Sequence, residues 1–172
     1  MALPIGDLGP CLVEWGGTDL GPTLGGVTFK EEVHSVDIKE DGHGDSPVDA
    51  VFTGRLVTIE CKFTRSTLAQ LESMITSSDG APTNLKVVNT VGDQMFALAE
   101  ELILKPLVNN AAEVAEPTTD GLWMHVHRTY PVAAVEFGYD NSGQRIVNVT
   151  FRAFPDDFST RVGEIWRMGP DA

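Results

Sequence analysis

Two long stretches of the chain carry the period of β-strands. From Val48 to Thr64 the second half alternates cleanly, with Val57, Ile59, Cys61 and Phe63 on one side and Leu56, Thr58, Glu60 and Lys62 on the other. That is the pattern of a half-buried antiparallel strand. Val27–Ile38 is the first long strand: Val27, Phe29 and Val33 share a side, whereas Val36 and Ile38 fall on the opposite one. The change of phase predicts a bulge, or a strand that leaves one sheet for another. Between the two lies Glu40–Pro47, EDGHGDSP, a polar turn with two glycines.

The next element changes period. Thr67-x-x-Gln70 is a capping box, and Leu68, Leu71, Met74 and Ile75 follow at helical spacing. This predicts one short amphipathic helix over about 67–77, stopped by Ser77–Pro82. Leu85–Asn89 and Met95–Val108 are further strands, the second interrupted by Pro106; Ala97–Leu104 is compatible with strand or helix. Leu122–Phe137 reads as a long strand broken or bent at Pro131, and Tyr139–Gly143 as a hairpin turn. Val147, Val149, Phe151 and Ala153 alternate again, and Arg161–Met168 supplies a closing strand. The first 26 residues are rich in Gly and Pro, with Leu12–Trp15 as a short strand inside an arm that must lie on the rest of the domain or on a neighbouring molecule. The expected architecture is one mainly β domain over 1–172: an antiparallel β-sandwich or barrel with one flanking helix, an extended N-terminal arm and a long hairpin loop.

Composition narrows the chemistry. The apolar fraction of 42% is that of a globular chain. Twenty-five acidic residues against 12 basic ones give a net charge of −13, which repels nucleic acid and excludes binding through phosphate contacts. It is compatible with DNA passing a like-charged wall. Cys11 and Cys61 form no metal or disulfide pattern, and Cys61 falls on the apolar face of its strand as a buried thiol. The first nine residues lack a basic segment followed by an apolar core, and no apolar run approaches 18 residues, so neither a signal peptide nor a membrane span is expected.

Catalytic patterns are missing from the sequence. There is no GxSxG, no GxGxxG and no GxxxxGK[ST]. His125 and His127, at i and i+2, would share one side of a strand and could reach a metal; the plainer reading is a solvent-facing or interface side of an edge strand. His43, between two glycines, reads as a loop residue. Trp15 stands apart from Trp123 and Trp166 because it lies in the glycine-rich arm, where a large aromatic must find a surface to cover. No enzyme and no cofactor are expected.

The order of features resembles a family. CLVEWGGTDLGPTLGGVTF is followed by a long strand, by KEDGHGDSPVDAVFTGRLVTIECKFT and by the helix STLAQLESMI. This is similar to the tail tube protein, or major tail protein, of long-tailed bacteriophages, whose tag D-x-x-G…P-V-D…x-x-G is matched by Asp41, Gly42, Gly44, Pro47, Val48, Asp49 and Gly54. The match runs from the start of the chain to about Ser78; later strands agree in type only. The resemblance implies the tube fold shared with contractile injection machines and type VI secretion rings. It implies hexameric rings stacked into a tail tube, the conduit for the genome. Implied partners are other copies of the chain and further tail proteins (tape measure, baseplate, terminator, sheath), with the virion tail as location after synthesis in the host cytoplasm.

Carried onto this chain, the resemblance makes 39–54 an inter-ring loop, with Asp41, Gly42, His43, Gly44, Asp45, Pro47, Val48 and Asp49 as contact residues. It makes 1–26 an assembly arm carrying Trp15. Glu31 and Glu60 are candidate acidic residues of the lumen. A single-ring tail component of the same fold, such as a tube initiator or terminator, is the alternative. A monomeric β-sandwich binding module, or a metal enzyme using His125 and His127, would be a different class.

Overall fold

The computed structural model describes residues 11–21, 23–64, 67–75, 78–81, 84–87, 91–108, 113–114, 123–134, 146–157 and 161–169. Its strands are β1 (Cys11–Trp15), β2 (Thr18–Asp19), β3 (Thr23–Ile38), β4 (Asp49–Thr64), β5 (Ser78–Ala81), β6 (Asn84–Val87), β7 (Glu100–Val108), β8 (Glu113–Val114), β9 (Met124–Ala134), β10 (Ile146–Phe154) and β11 (Trp166–Met168). The helix α1 (Leu68–Met74) lies between β4 and β5. The expected hairpin at Tyr139–Gly143 lies outside the described residues.

One antiparallel sheet dominates, in the order β2-β1-β7-β9-β10-β4-β3, with β11 added to β9 and β8 to β7. It does not close into a barrel, although it curls enough to bring β1 near β3. The hollow of the curl is the core. Ile59, Cys61 and Phe63 of β4 lie opposite Phe151, Val149 and Val147 of β10, Val57 follows on the same side, and all are buried. Val13, Leu20, Leu102, Leu104 and Val126 complete it from the other end of the sheet. The mainly antiparallel β class with one helix is therefore as the periodicity predicts, with an open sheet in place of a closed one.

The helix forms where its cap is encoded. Thr67 Oγ1 accepts from the Gln70 amide at 3.3 Å and Gln70 Oε1 accepts from the Thr67 amide at 2.8 Å. Leu71 and Met74 bury into the core, and Gln70 Nε2 donates to the Asp19 carbonyl, tying α1 to β2. Burial of one apolar stripe is what stabilises a helix this short, which would be marginal alone.

Several details depart from the expectations. Ala97–Leu104 is neither all strand nor helix: turns run to Leu98 and β7 starts at Glu100. Pro131 does not break β9, because the β9–β10 ladder runs on from Arg128 to Ala134. The ladder to β7 has already ended at Thr129, so the missing proline N–H costs no bond on that side. The irregularity of β9 lies earlier: Glu100 pairs with Thr129 but Leu102 with Val126, so β9 carries an extra residue there. A bulge switches the inward face, which is how Val126 and Thr129, three apart, are both fully buried.

Candidate assembly surface

β3 and β4 pair from Thr23 to Ile38, far beyond the body of the sheet. Every residue from Glu32 to Thr53 is exposed. The distal half of the pair is thus a two-stranded ribbon projecting from the body. At about 3.3 Å per residue, the six residues Val33–Ile38 reach on the order of 20 Å. The ladder persists to Ile38 and Asp49, where the Val48 amide donates to the Ile38 carbonyl at 2.9 Å. A single 3-10 turn, Asp41–His43, closes the tip, followed by Gly44 at φ +66°.

This redraws the predicted loop. Of the span 39–54, Asp49–Gly54 are strand, and the ten residues between Ile38 and Asp49 form the turn. Asp41, Gly42, His43, Gly44, Asp45, Pro47 and Val48 sit together at the tip, with Asp49 as the first residue of β4. The predicted phase change also has a location. His34 pairs with Gly54 but Ser35 with Phe52, so Thr53 is the extra residue and the bulge is in β4, not β3. Gly54 adopts φ +154°, a conformation that side chains disfavour.

The ribbon is apolar on both faces. Val33 continues the side of Val27 and Phe29, and Phe52, opposite Ser35, shares it. Val36 and Val51 are paired on the reverse side, with Ile38 beside them. Val33 is 59% exposed, Val36 59%, Val51 51% and Phe52 57%. These exposed apolar residues lie outside the expected contact set. The signal was present: DAVFT in the first half of β4 lacks the alternation of its second half.

At the ribbon's base a bracket holds it to the body. Glu31 Oε1 accepts from Arg55 Nη1 at 2.7 Å, and its Oε2 accepts from Trp166 Nε1 at 3.2 Å. Trp166 stacks edge-on against Phe29, with centroids 5.4 Å apart. Arg55 lies over the Phe52 ring at 5.7 Å. A cleft of roughly 590 Å³ opens beside this bracket, lined by Phe52, Arg55, Pro155, Ile165 and Trp166 among others. Glu60 lies on the opposite face of the sheet from Glu31, ion-paired to Lys30. Neither of these two carboxylates is free, and a single sheet wall presents only one of them.

Trp15 covers its own chain. Its Nε1 donates to the Thr129 carbonyl at 3.2 Å and to Oγ1 at 3.1 Å, and its ring packs at 6.3 Å from Phe151. The strand predicted at Leu12–Trp15 is a member of the main sheet beside β7, in antiparallel register.

The histidine pair is placed otherwise than expected. β9 is an interior strand, between β7 and β10, and His127 is buried. His127 Nδ1 accepts from Arg161 Nη1 at 3.0 Å, so Nε2 carries the proton donated to Glu164 Oε1 at 2.9 Å. His125 Nδ1 meets Glu101 Oε1 at 3.0 Å. Both imidazoles are thus engaged by carboxylates that fasten β7 and the 161–164 turn onto β9. Among the described residues no three metal-ligating side chains converge. The two thiols face the core: burial pushes the pKa of Cys11 up to about 11, and burial followed by the neighbouring Cys11 raises that of Cys61.

The class these observations define is a mainly antiparallel β protein with one curled open sheet, one capped helix and a projecting ribbon. A solved structure shares it. The tube-terminating cap of the anti-feeding prophage, seen by cryo-EM, superposes with a TM-score of 0.53 over 99% of this chain and 94% of that one. Sequence identity is 9%, so the likeness is one of fold. No family model and no curated protein sequence matches the chain. No helix among the described residues is long and apolar enough to cross a membrane.

Proposed function

We propose that this chain is a structural subunit of a phage-tail-type tube, which assembles with copies of itself into hexameric rings that stack through the β3–β4 ribbon. The projecting ribbon carries this reading. Val33, Val36, Val51 and Phe52 are left more than half exposed, whereas the core cluster is built without them. Burying each large apolar side chain is worth about 1.5–3 kcal/mol, less the ordering cost of association. The resemblance of the first half of the chain to tail tube proteins and the likeness of fold to a tube-terminating cap point the same way. The proposed working location is the virion tail, next to other tail proteins. A tube whose subunits each carry −13 lets a genome pass without holding its phosphates. Catalysis has no part in this role.

Deleting His43–Asp49 tests it. The expected result is a folded β protein that no longer stacks, seen by circular dichroism and negative-stain electron microscopy. Tubes of normal length from that deletion would end the assignment of the ribbon to stacking. A second reading, a single-ring tube terminator, is favoured by the structural neighbour, which is itself a tube-terminating cap. Microscopy of the unaltered protein separates the two: long tubes support the first, lone rings the second.

A further inference from the structure

The ribbon is apolar on both faces, and its tip is acidic: Asp37, Glu40, Asp41, Asp45 and Asp49 against Lys39, all exposed. On a second copy of a chain with 25 acidic and 12 basic residues, such a tip has few places to land. Most described cations are already committed. Lys30 pairs with Glu60, Arg55 with Glu31, Lys105 with Glu14 and Arg128 with Asp156. Outside the ribbon, the exposed cations without an ion pair among the described residues are Lys62 and Arg152.

These two share the outward face of the sheet. Lys62 lies opposite Asn148, and Arg152 opposite Thr58. Between them runs Thr150, which is paired to Val132 of β9, an exposed apolar side chain. Glu60, opposite Thr150 on the other side, has its charge met by Lys30. The face therefore offers two free cations around an apolar spot, the complement of an apolar ribbon with an acidic tip. It also lies on the same sheet as the ribbon, towards the other end of β4.

Resting on the tube reading above, we propose that the ribbon of one copy docks on the Lys62–Arg152 face of β4 and β10 of a second copy. The two surfaces differ, so the contact is head-to-tail. Such a contact leaves a free ribbon at one end of the pair and a free face at the other, so it propagates instead of stopping at a dimer. Successive copies then point the same way.

Charge reversal tests this on the full chain, read by sedimentation velocity and negative-stain microscopy. K62E/R152E and D41K/D45K are each expected to raise the concentration needed for assembly on the order of tenfold or more, because like charges then meet. A chain with all four substitutions restores opposite charges across the contact and should recover assembly. Unchanged far-ultraviolet circular dichroism and melting are expected, since all four side chains are exposed. Normal assembly of K62E/R152E, or a combined variant no better than either parent, would overturn the docking face and leave the tube reading standing. An unaltered protein that stays monomeric at every concentration and salt would overturn both.

Discussion

The β3–β4 pair can be compared with itself. In the body, Val57, Ile59 and Phe63 are fully buried in the hollow of the curled sheet, where β10 runs beside β4. In the ribbon, Val33, Val51 and Phe52 belong to the same two strands and ladder, yet more than half of each is in water. Local chemistry differs little between the halves; both are rich in β-branched and aromatic residues. What differs is the neighbour. β10 pairs with β4 from Thr58 to Thr64 and no further, so past Thr58 the described sheet narrows to β3 and β4 and has no further strands to curl over the ribbon. An identical element is thus core in one half and solvent-exposed in the other, and a boundary between them is built from Gly54 and Glu31.

The largest test sets one aromatic against another. Phe63→Ala should lose about 3–5 kcal/mol of stability, as the cavity it leaves adds to the lost burial. Phe52→Ala should stay within about 0.5 kcal/mol in the monomer while impairing assembly. Urea unfolding of both variants at subunit concentrations below assembly makes the measurement. Similar losses would mean that the ribbon belongs to the folding core.

At the boundary, Gly54→Val forces a branched side chain into φ +154°, a strain of about 1–3 kcal/mol. The amides of Val36 and Val51 should exchange about tenfold faster or more, with those of Ile59 and Phe151 unchanged. Equal loss of protection at all four would show the halves to be one cooperative unit. Glu31→Gln keeps a neutral acceptor but removes the charge that holds Arg55, at a cost of about 1 kcal/mol because the pair is partly exposed. The readout is the mobility of the Trp166 side chain by fluorescence anisotropy, expected to rise.

The smallest effect is confined to the body. Cys11 has its folded-state pKa raised from 9.0 to about 11, and Cys61 shifts the same way. A raised value means that the folded state holds its protons more tightly. The contribution is therefore complete below pH about 9 and is lost as pH climbs towards about 11. Urea midpoints should be flat from neutral pH to about 9 and then fall; a midpoint that rises over that range would contradict buried, protonated thiols.

Much of this was legible along the chain. Strict alternation identified the core face of β4 and β10, since one buried side per strand leaves a period of two. The capping box marked the start of α1 at the residue where the helix begins. Glycines and charged residues located the ribbon tip. Three features were not legible. The bulge expected in the first long strand lies in its partner β4, and that in β9 left no mark in the pattern, because which strand carries the extra residue depends on the register across the pair. The binding of His125 and His127 to Glu101 and Glu164 joins segments far apart in sequence. The free or paired state of Glu31, Glu60, Lys62 and Arg152 depends on which strands lie side by side.

Sequence alone determined the local elements: which residues alternate, where a helix starts and where the chain must turn. Those choices depend on side chains a few residues apart, whose interactions are set by bond geometry and solvation. Only the tertiary structure decided which half of the long β3–β4 pair is covered. Burial depends on how many strands curl over a given length of ladder; the lost alternation around Val51 and Phe52 marks a difference between the halves but not which one the sheet encloses. The hairpin that began as a phase change in an apolar pattern is therefore a buried wall at one end and an uncovered ribbon at the other.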